Sequence, residues 1–258
     1  MKKAKAVSYP KGFERKFAKA LSDMVELMTE QFENETLEKM RQKDIKQFED
    51  SDNFADRFQR LSKESREKIV KRFSNERISR LVKSILKPLA SVNKRQIMEG
   101  LQDIGSVSIQ EAANSNMKMT EDALIAETEE WAIKLRDDTL SEYVASTLRS
   151  MVMGEKFEEV VKSYRATGKQ RKNHAKFVAR NQLSTYNALL SKRRYENLGI
   201  KKAIWSAAND ERVRPSHAER DGKEFDISKG LYSKLDGKTL TTGLDYNCRC
   251  VMIPIIEE

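Results

Sequence analysis

Cysteine is almost missing from this sequence: 258 residues hold two, Cys248 and Cys250, separated by a single residue. A strain-free intramolecular disulfide is hard to build at that spacing, so oxidative stapling is excluded as what holds the fold. With only ten glycines and four prolines, collagen-like and other low-complexity architectures are excluded too. Long apolar runs are also lacking, and no window approaches the ~20 residues that a membrane-spanning helix needs. The opening MKKAKAVSYPKGF is basic but has no apolar centre of the kind a secretory signal carries, which predicts a soluble, cytoplasmically made protein without a membrane anchor. Absent as well are a Walker loop, a Gly-x-Ser-x-Gly elbow, a His-Glu-x-x-His helix and a dinucleotide fingerprint. Nothing in the motifs therefore demands an enzyme.

What the chain has is charge. Forty-nine Lys and Arg stand against forty Asp and Glu, a formal +9. The excess is local: from Lys162 to Lys202 there are twelve basic residues and one acid, Glu196, so the rest of the chain is close to neutral. Arg171, Lys172, Lys176, Arg180, Lys192, Arg193, Arg194, Lys201 and Lys202 form the core of that block and are its candidate contacts with phosphate or with an acidic protein surface. The same residues also fit a solvated helix face.

Apolar spacing divides the molecule. Phe13, Phe17, Leu21, Met24, Met28 and Phe32 recur at steps of three and four, one stripe of a helix. Ser51 and Asp52 start a second helix whose apolar face is Phe54, Phe58, Leu61, Ile69 and Phe73, and Pro88 is expected to kink or end a third. IGSVSIQ, with Gly105, reads as a turn. Thr139 and Glu142 make a Thr-x-x-Glu capping box, so a chain break is expected at Asp137 and Asp138. Gly154, Gly168 and Gly199 are expected left-handed C-caps. Beyond Gly199 the period changes: IKKAIWSAA and CRCVMIPII read as strands, the second with Pro254 suited to a sheet edge, and a short extended piece is expected near 223–227. The fold class is therefore α+β, with a mainly helical region over 1–165 and a small α+β domain over 166–258.

The last unit concentrates Trp205, Asp210, Arg212, Arg214, His217, Asp221 and Gly222, then Asp245, Asn247, Cys248, Arg249 and Cys250. His217 with the two cysteines offers soft and borderline ligands for zinc, with Asp245 or His174 as a fourth. The competing account is a metal-free, hydrogen-bonded cluster in which arginines fork onto carboxylates and both thiols are buried and inert.

The string WSAANDERVRPSHAERDGKEF, followed by LDYNCRCVMIPI, resembles the C-terminal domain of the phage Mu F-like, or head morphogenesis, minor capsid proteins. The preceding AKFVARNQLSTYNALLSKRRYENLGIKKAIW agrees, and the likeness covers about residues 171–258. Two places depart from the family pattern: Arg180, Asn181 and Gln182 stand where Arg-Thr-Glu is usual, and Asp245 and Tyr246 where Pro-His often precedes Cys-Arg-Cys. The resemblance implies a structural, portal-associated protein of a tailed phage head, assembled in the bacterial host cytoplasm and carried in the virion, in the head interior or at the portal vertex. Its implied partners are the portal protein, and beyond it packaged double-stranded DNA, scaffold or major capsid protein. A nonspecific nucleic-acid-binding protein and, more remotely, a metal-dependent enzyme are the alternatives, and the thin aromatic interleaving of the basic block speaks against sequence-specific readout.

Overall fold

The computed structural model describes residues 2–41, 51–101, 111–208 and 210–256. Long helices occupy most of the chain: α1 (Lys11–Phe32), α2 (Glu38–Arg41), α3 (Ser51–Arg72), α4 (Asn75–Gly100), α5 (Met117–Val152) and α6 (Phe157–Asn197). Strand β1 (Lys2–Lys3) precedes them; β2 (Lys202–Ser206), α7 (Pro215–Arg220), β3 (Glu224–Asp226), β4 (Leu231–Ser233), β5 (Lys238–Leu240) and β6 (Val251–Ile256) follow. This is the expected α+β class. The turn predicted around Gly105 lies outside the described residues.

The chain forms two compact units, and the 165/166 division falls inside the unbroken helix α6. The first unit contains 1–16, 82–128 and 179–258; the second contains 17–81 and 129–178.

In the second unit the predicted stripe of α1 is core: Phe17, Leu21, Met24, Met28 and Phe32 are buried. Phe32, Tyr143 and Tyr164 form an aromatic trio with ring centroids 4.9–5.7 Å apart. The Tyr164 hydroxyl donates to the Thr29 carbonyl at 2.7 Å, and the Thr29 and Tyr143 hydroxyls bond at 2.5 Å. Gly168 is not a C-cap. It sits inside α6, where a Cβ would come within 2.8 Å of Thr29 Cγ2, so the missing side chain lets α6 close on α1. The predicted break at Asp137 and Asp138 is also absent, because α5 runs through it. Thr139 turns its hydroxyl to the Leu135 carbonyl one turn back at 2.6 Å instead of capping a new helix. Asp137 is held by Arg136 at 2.7 Å, whose guanidinium also caps the Phe73 carbonyl. Helix α4 likewise continues through Pro88, whose ring lies on the exposed side. Gly154 and Gly199, by contrast, have positive φ just after α5 and α6, as expected.

The first unit is built on a four-stranded antiparallel sheet of order β1-β6-β2-β3, with β4 and β5 as a separate hairpin pair. Trp205 lies opposite Met252 in the β2–β6 ladder. Pro254, however, is on a central strand. Its carbonyl accepts from Ala4 N–H on the β1 side. The N–H and C=O of one strand residue point the same way, so the donor that proline lacks faces the two-residue strand β1, where little ladder is lost. The N-terminal residues thus join the C-terminal sheet, and Ala4 and Val7 enter the same core as Ile97, Leu101, Tyr195, Trp205, Phe225, Cys250 and Met252.

Helix α6 is tied into this unit by a buried polar network. Asn93 of α4 donates to Asn187 Oδ1 at 2.9 Å and to Ser191 Oγ at 2.8 Å, and its own oxygen accepts from Arg194. Because Val7 is 2% exposed, Val7→Ala is expected to cost about 1.5–3 kcal/mol of unfolding free energy. Urea denaturation should show this as a lower midpoint with secondary structure retained before the transition.

Candidate functional site

The residues singled out in the last unit are set around Trp205, which is fully buried on β2. Its indole meets the His217 ring edge-on at 5.6 Å, and the Arg220 guanidinium lies 5.4 Å from its ring centre. Asp221 and Gly222 close the turn after α7 onto this strand. The Asp221 carboxylate accepts from Ala207 N–H at 2.7 Å, and the Gly222 amide, at φ +74°, donates to the Trp205 carbonyl at 2.9 Å.

Pro215 starts α7 and puts His217 on its inner face, buried. Cys248 and Cys250 lead into β6, and in extended chain residues two apart share a face. Both sulfurs therefore turn to the imidazole: Cys248 Sγ is 3.6 Å and Cys250 Sγ 3.5 Å from His217 Nδ1. The other ring nitrogen, Nε2, is 3.1 Å from Asp245 Oδ2. Two backbone amides, Gly243 at 3.3 Å and Cys250 at 3.4 Å, donate to Cys248 Sγ. The three ligand atoms His217 Nδ1, Cys248 Sγ and Cys250 Sγ lie within 4.8 Å of one another, and no other such group of three His, Cys, Asp or Glu occurs among the described residues. Asp245 thus faces the histidine from behind instead of joining the sulfurs. His174 belongs to the second unit, where it stacks on Phe177 at 5.9 Å.

Acid–base character follows from this packing. The Cys248 thiol is drawn well below its usual range by its hydrogen bond with Cys250 and then by His217, against the opposing effect of burial. Cys250 is pushed up, first by the sulfur of Cys248 and then by burial. His217 is raised by the Cys248 hydrogen bond and by Asp245.

The remaining motif residues form a rim of ion pairs. Asp210 takes both guanidinium nitrogens of Arg249, one at 2.7 Å, and accepts from Arg212 N–H at 3.1 Å. Arg214 reaches Asp245 and the Tyr246 carbonyl, the latter at 2.6 Å. Asn247 adopts φ +53°, and its amide donates to Asn181 Oδ1 at 3.3 Å.

The basic block is divided. Arg171, Lys172 and Lys176 belong to the second unit, and Arg180, Lys192, Arg193, Arg194, Lys201 and Lys202 to the first. Successive helical positions are 100° apart, so Lys192, Arg193 and Arg194 point three ways. Arg194 points inward: its side chain is 2% exposed and bonds Glu121 at 3.0 Å, which removes it from any outside contact. Lys172 pairs with Glu26 at 2.7 Å, Arg180 with Glu14 at 2.8 Å and Lys202 with Glu224 at 3.4 Å. Lys192 and Arg193 share Glu196 at 3.9 and 3.8 Å, and the Arg171 guanidinium donates to Thr139 Oγ1 at 3.1 Å. Lys176 and Lys201 are exposed.

The family described as phage Mu protein F like protein matches residues 143–253, the stretch that carries this site. That part of the chain is similar to the phage Mu F-like family. An uncharacterized protein of Haemophilus influenzae is 29% identical across 100% of this chain and 56% of its own length. An NAD(+)–arginine ADP-ribosyltransferase EFV of Enterococcus faecalis is 25% identical over 48% of this chain and 27% of its own length. The chain therefore spans about half of one relative and about a quarter of the other. No solved structure matches.

Three residues that organise this site carry no motif signal. Ser184 on α6 donates its hydroxyl to the Cys248 carbonyl at 2.5 Å and to the Gly243 carbonyl at 3.2 Å. Arg220, fully buried, clamps Asp236 with two bonds of 3.0 Å and also holds the Leu231 and Lys238 carbonyls. The available clue was spacing: Arg220 stands three residues after His217, hence on the same helical face.

The Asp210 and Asp236 carboxyls are both held below the ordinary range, chiefly by their arginine hydrogen bonds. A depressed folded value gives stability that is present above the unfolded pKa and disappears as pH falls through the folded one. Unfolding free energy should thus begin to drop below about pH 4. In Asp236→Asn, urea midpoints followed from pH 6 to about pH 2 should start lower and fall less steeply. Gly243, at φ +79° with its Cβ position 2.5 Å from Ala188 Cβ, should not tolerate Ala; a lower melting temperature is expected.

Proposed function

We propose that this chain is a minor head protein of a tailed bacteriophage, bound at the portal during head assembly and retained in the virion, and that its role is structural. The observation that carries the reading is the Mu F-like match over 143–253 on a region whose polar residues are spent on one another. Arg249, Arg220 and Asp221 each hold their own fold together, which is what a rigid docking module needs. No described helix is long and apolar enough to cross a membrane, in keeping with a head component.

Portal contact is favoured over phosphate contact by the state of the basic block. Arg194 is buried, and Lys172 and Arg180 already face carboxylates, while Lys169, Lys176 and Lys201 are exposed. A protein surface can exchange such pairs one for one. A DNA backbone would instead have to compete with them.

The test is mass spectrometry of purified proheads and virions together with deletion of the gene. The protein should be present at low copy, and the deletion should leave portal and major capsid expression intact while lowering infectious titre. Normal infectivity, with the protein absent from wild-type particles, would overturn the reading. DNA retention by the isolated chain that falls with salt at a slope of several counterions would move the basic block to nucleic acid. The similarity to the E. faecalis transferase covers 27% of that protein, and incubation with NAD+ and an arginine-bearing acceptor should leave NAD+ unconsumed.

A further inference from the structure

Two sulfurs compete for one nitrogen in this molecule. His217 Nδ1 carries a single lone pair or a single proton, so it can be matched by one thiol. Cys250 Sγ at 3.5 Å and Cys248 Sγ at 3.6 Å are nevertheless equidistant from it. A hydrogen-bonded cluster matches one sulfur to the ring nitrogen and can satisfy the other only through its neighbouring sulfur. A cation between the three atoms explains both. Zinc–sulfur and zinc–nitrogen bonds of about 2.3 and 2.05 Å at a tetrahedral angle place S and N about 3.6 Å apart, which is the separation found.

The surroundings are arranged for ligands rather than for thiols at rest. Asp245 Oδ2, 3.1 Å from Nε2, fixes the proton on that nitrogen and leaves the Nδ1 lone pair toward the sulfurs, the carboxylate–histidine arrangement usual behind a metal. The amides of Gly243 and Cys250 donate to Cys248 Sγ and so satisfy a thiolate. All three side chains are at most 5% exposed. Beside them opens a pocket of about 100 Å³ that Asn247 also lines, and Asn247 Oδ1 is buried with no hydrogen-bond donor.

We infer that His217 Nδ1, Cys248 Sγ and Cys250 Sγ form a zinc site, with water as the fourth ligand on the pocket side, where it can donate to Asn247 Oδ1. Binding releases to solvent whatever protons the two sulfurs and Nδ1 carry and forms two Zn–S bonds, one Zn–N bond and one Zn–O bond to the water, with no change of oxidation state. The ion joins α7 to the entrance of β6, the cross-link that two cysteines so close in sequence cannot make by themselves. The inference concerns these residues alone and stands whether or not the chain binds a portal.

The full-length chain, purified without chelator, should contain one zinc per molecule by elemental analysis. Replacing zinc by Co2+ should give thiolate-to-cobalt charge transfer and intense tetrahedral visible bands. Since these are the chain's only cysteines, that charge transfer can come from nowhere else, even if the variants do not fold. Where they fold, Cys248→Ser and Cys250→Ser should each remove about half of it. Asp245→Asn should weaken zinc about 10–100-fold in chelator competition while the cobalt spectrum keeps its shape. A wild-type chain that is folded by circular dichroism yet takes up neither ion, or binds Co2+ with the pale spectrum of an oxygen-ligated octahedron, would overturn the site.

Discussion

The antiparallel pairing of β2 with β6 is the constraint on which the first unit depends. Its register, from Lys202 opposite Ile255 to Ser206 opposite Val251, decides which residues can meet. It sets Trp205 into the core opposite Met252 and brings the Cys248–Cys250 segment to the end of β2. Helix α7 then has a buried indole to pack His217 and Arg220 against. A slip of β6 by one residue would leave Trp205 inside but turn Met252 outward and carry the cysteines with it to the opposite face, so the sheet and the site cannot be specified separately.

Around that pairing, buried charges are treated in one consistent way. Arg220, Arg194 and Arg136 are each nearly or wholly enclosed, and each spreads its guanidinium over a carboxylate or an amide oxygen and at least one further acceptor. Guanidinium groups suit this because their donors are fixed in a plane and their hydration is weak. The arginines join segments far apart in sequence, where a smaller apolar side chain would not span the distance.

Much of this was legible in the residues. The stripe from Phe17 to Phe32, the strand character of the Trp205 and Met252 segments, and the caps at Gly154 and Gly199 all follow from local periods and local backbone needs. What misled was equally local: the Thr139 capping pattern and Gly168 each carry a boundary signal, yet both lie inside continuous helices because packing against other segments outweighs a weak propensity. The gathering of His217 with the two cysteines could be anticipated as chemistry. The role of Asp245 behind the ring, and those of Ser184, Arg220 and Asp236, could not, since each acts through contacts 11 to 64 residues away that no short motif encodes. The basic block shows the same limit in reverse: charge is countable in sequence, but the burial of Arg194 depends on Asn93 and Glu121.

The pairing of β1 with β6, Lys2 opposite Ile256, fixes an order of events at the ribosome. The residues of the second unit, 17–81 and 129–178, are all available before any part of β2 has been made. The first unit must wait for the strand at 251–256, and β1 stays without its partner until that strand has been made. Its sheet closes a loop of nearly the whole chain, the kind of long-range contact that makes folding slow. Translation that stops short of β6 therefore leaves β1 without the strand it pairs with.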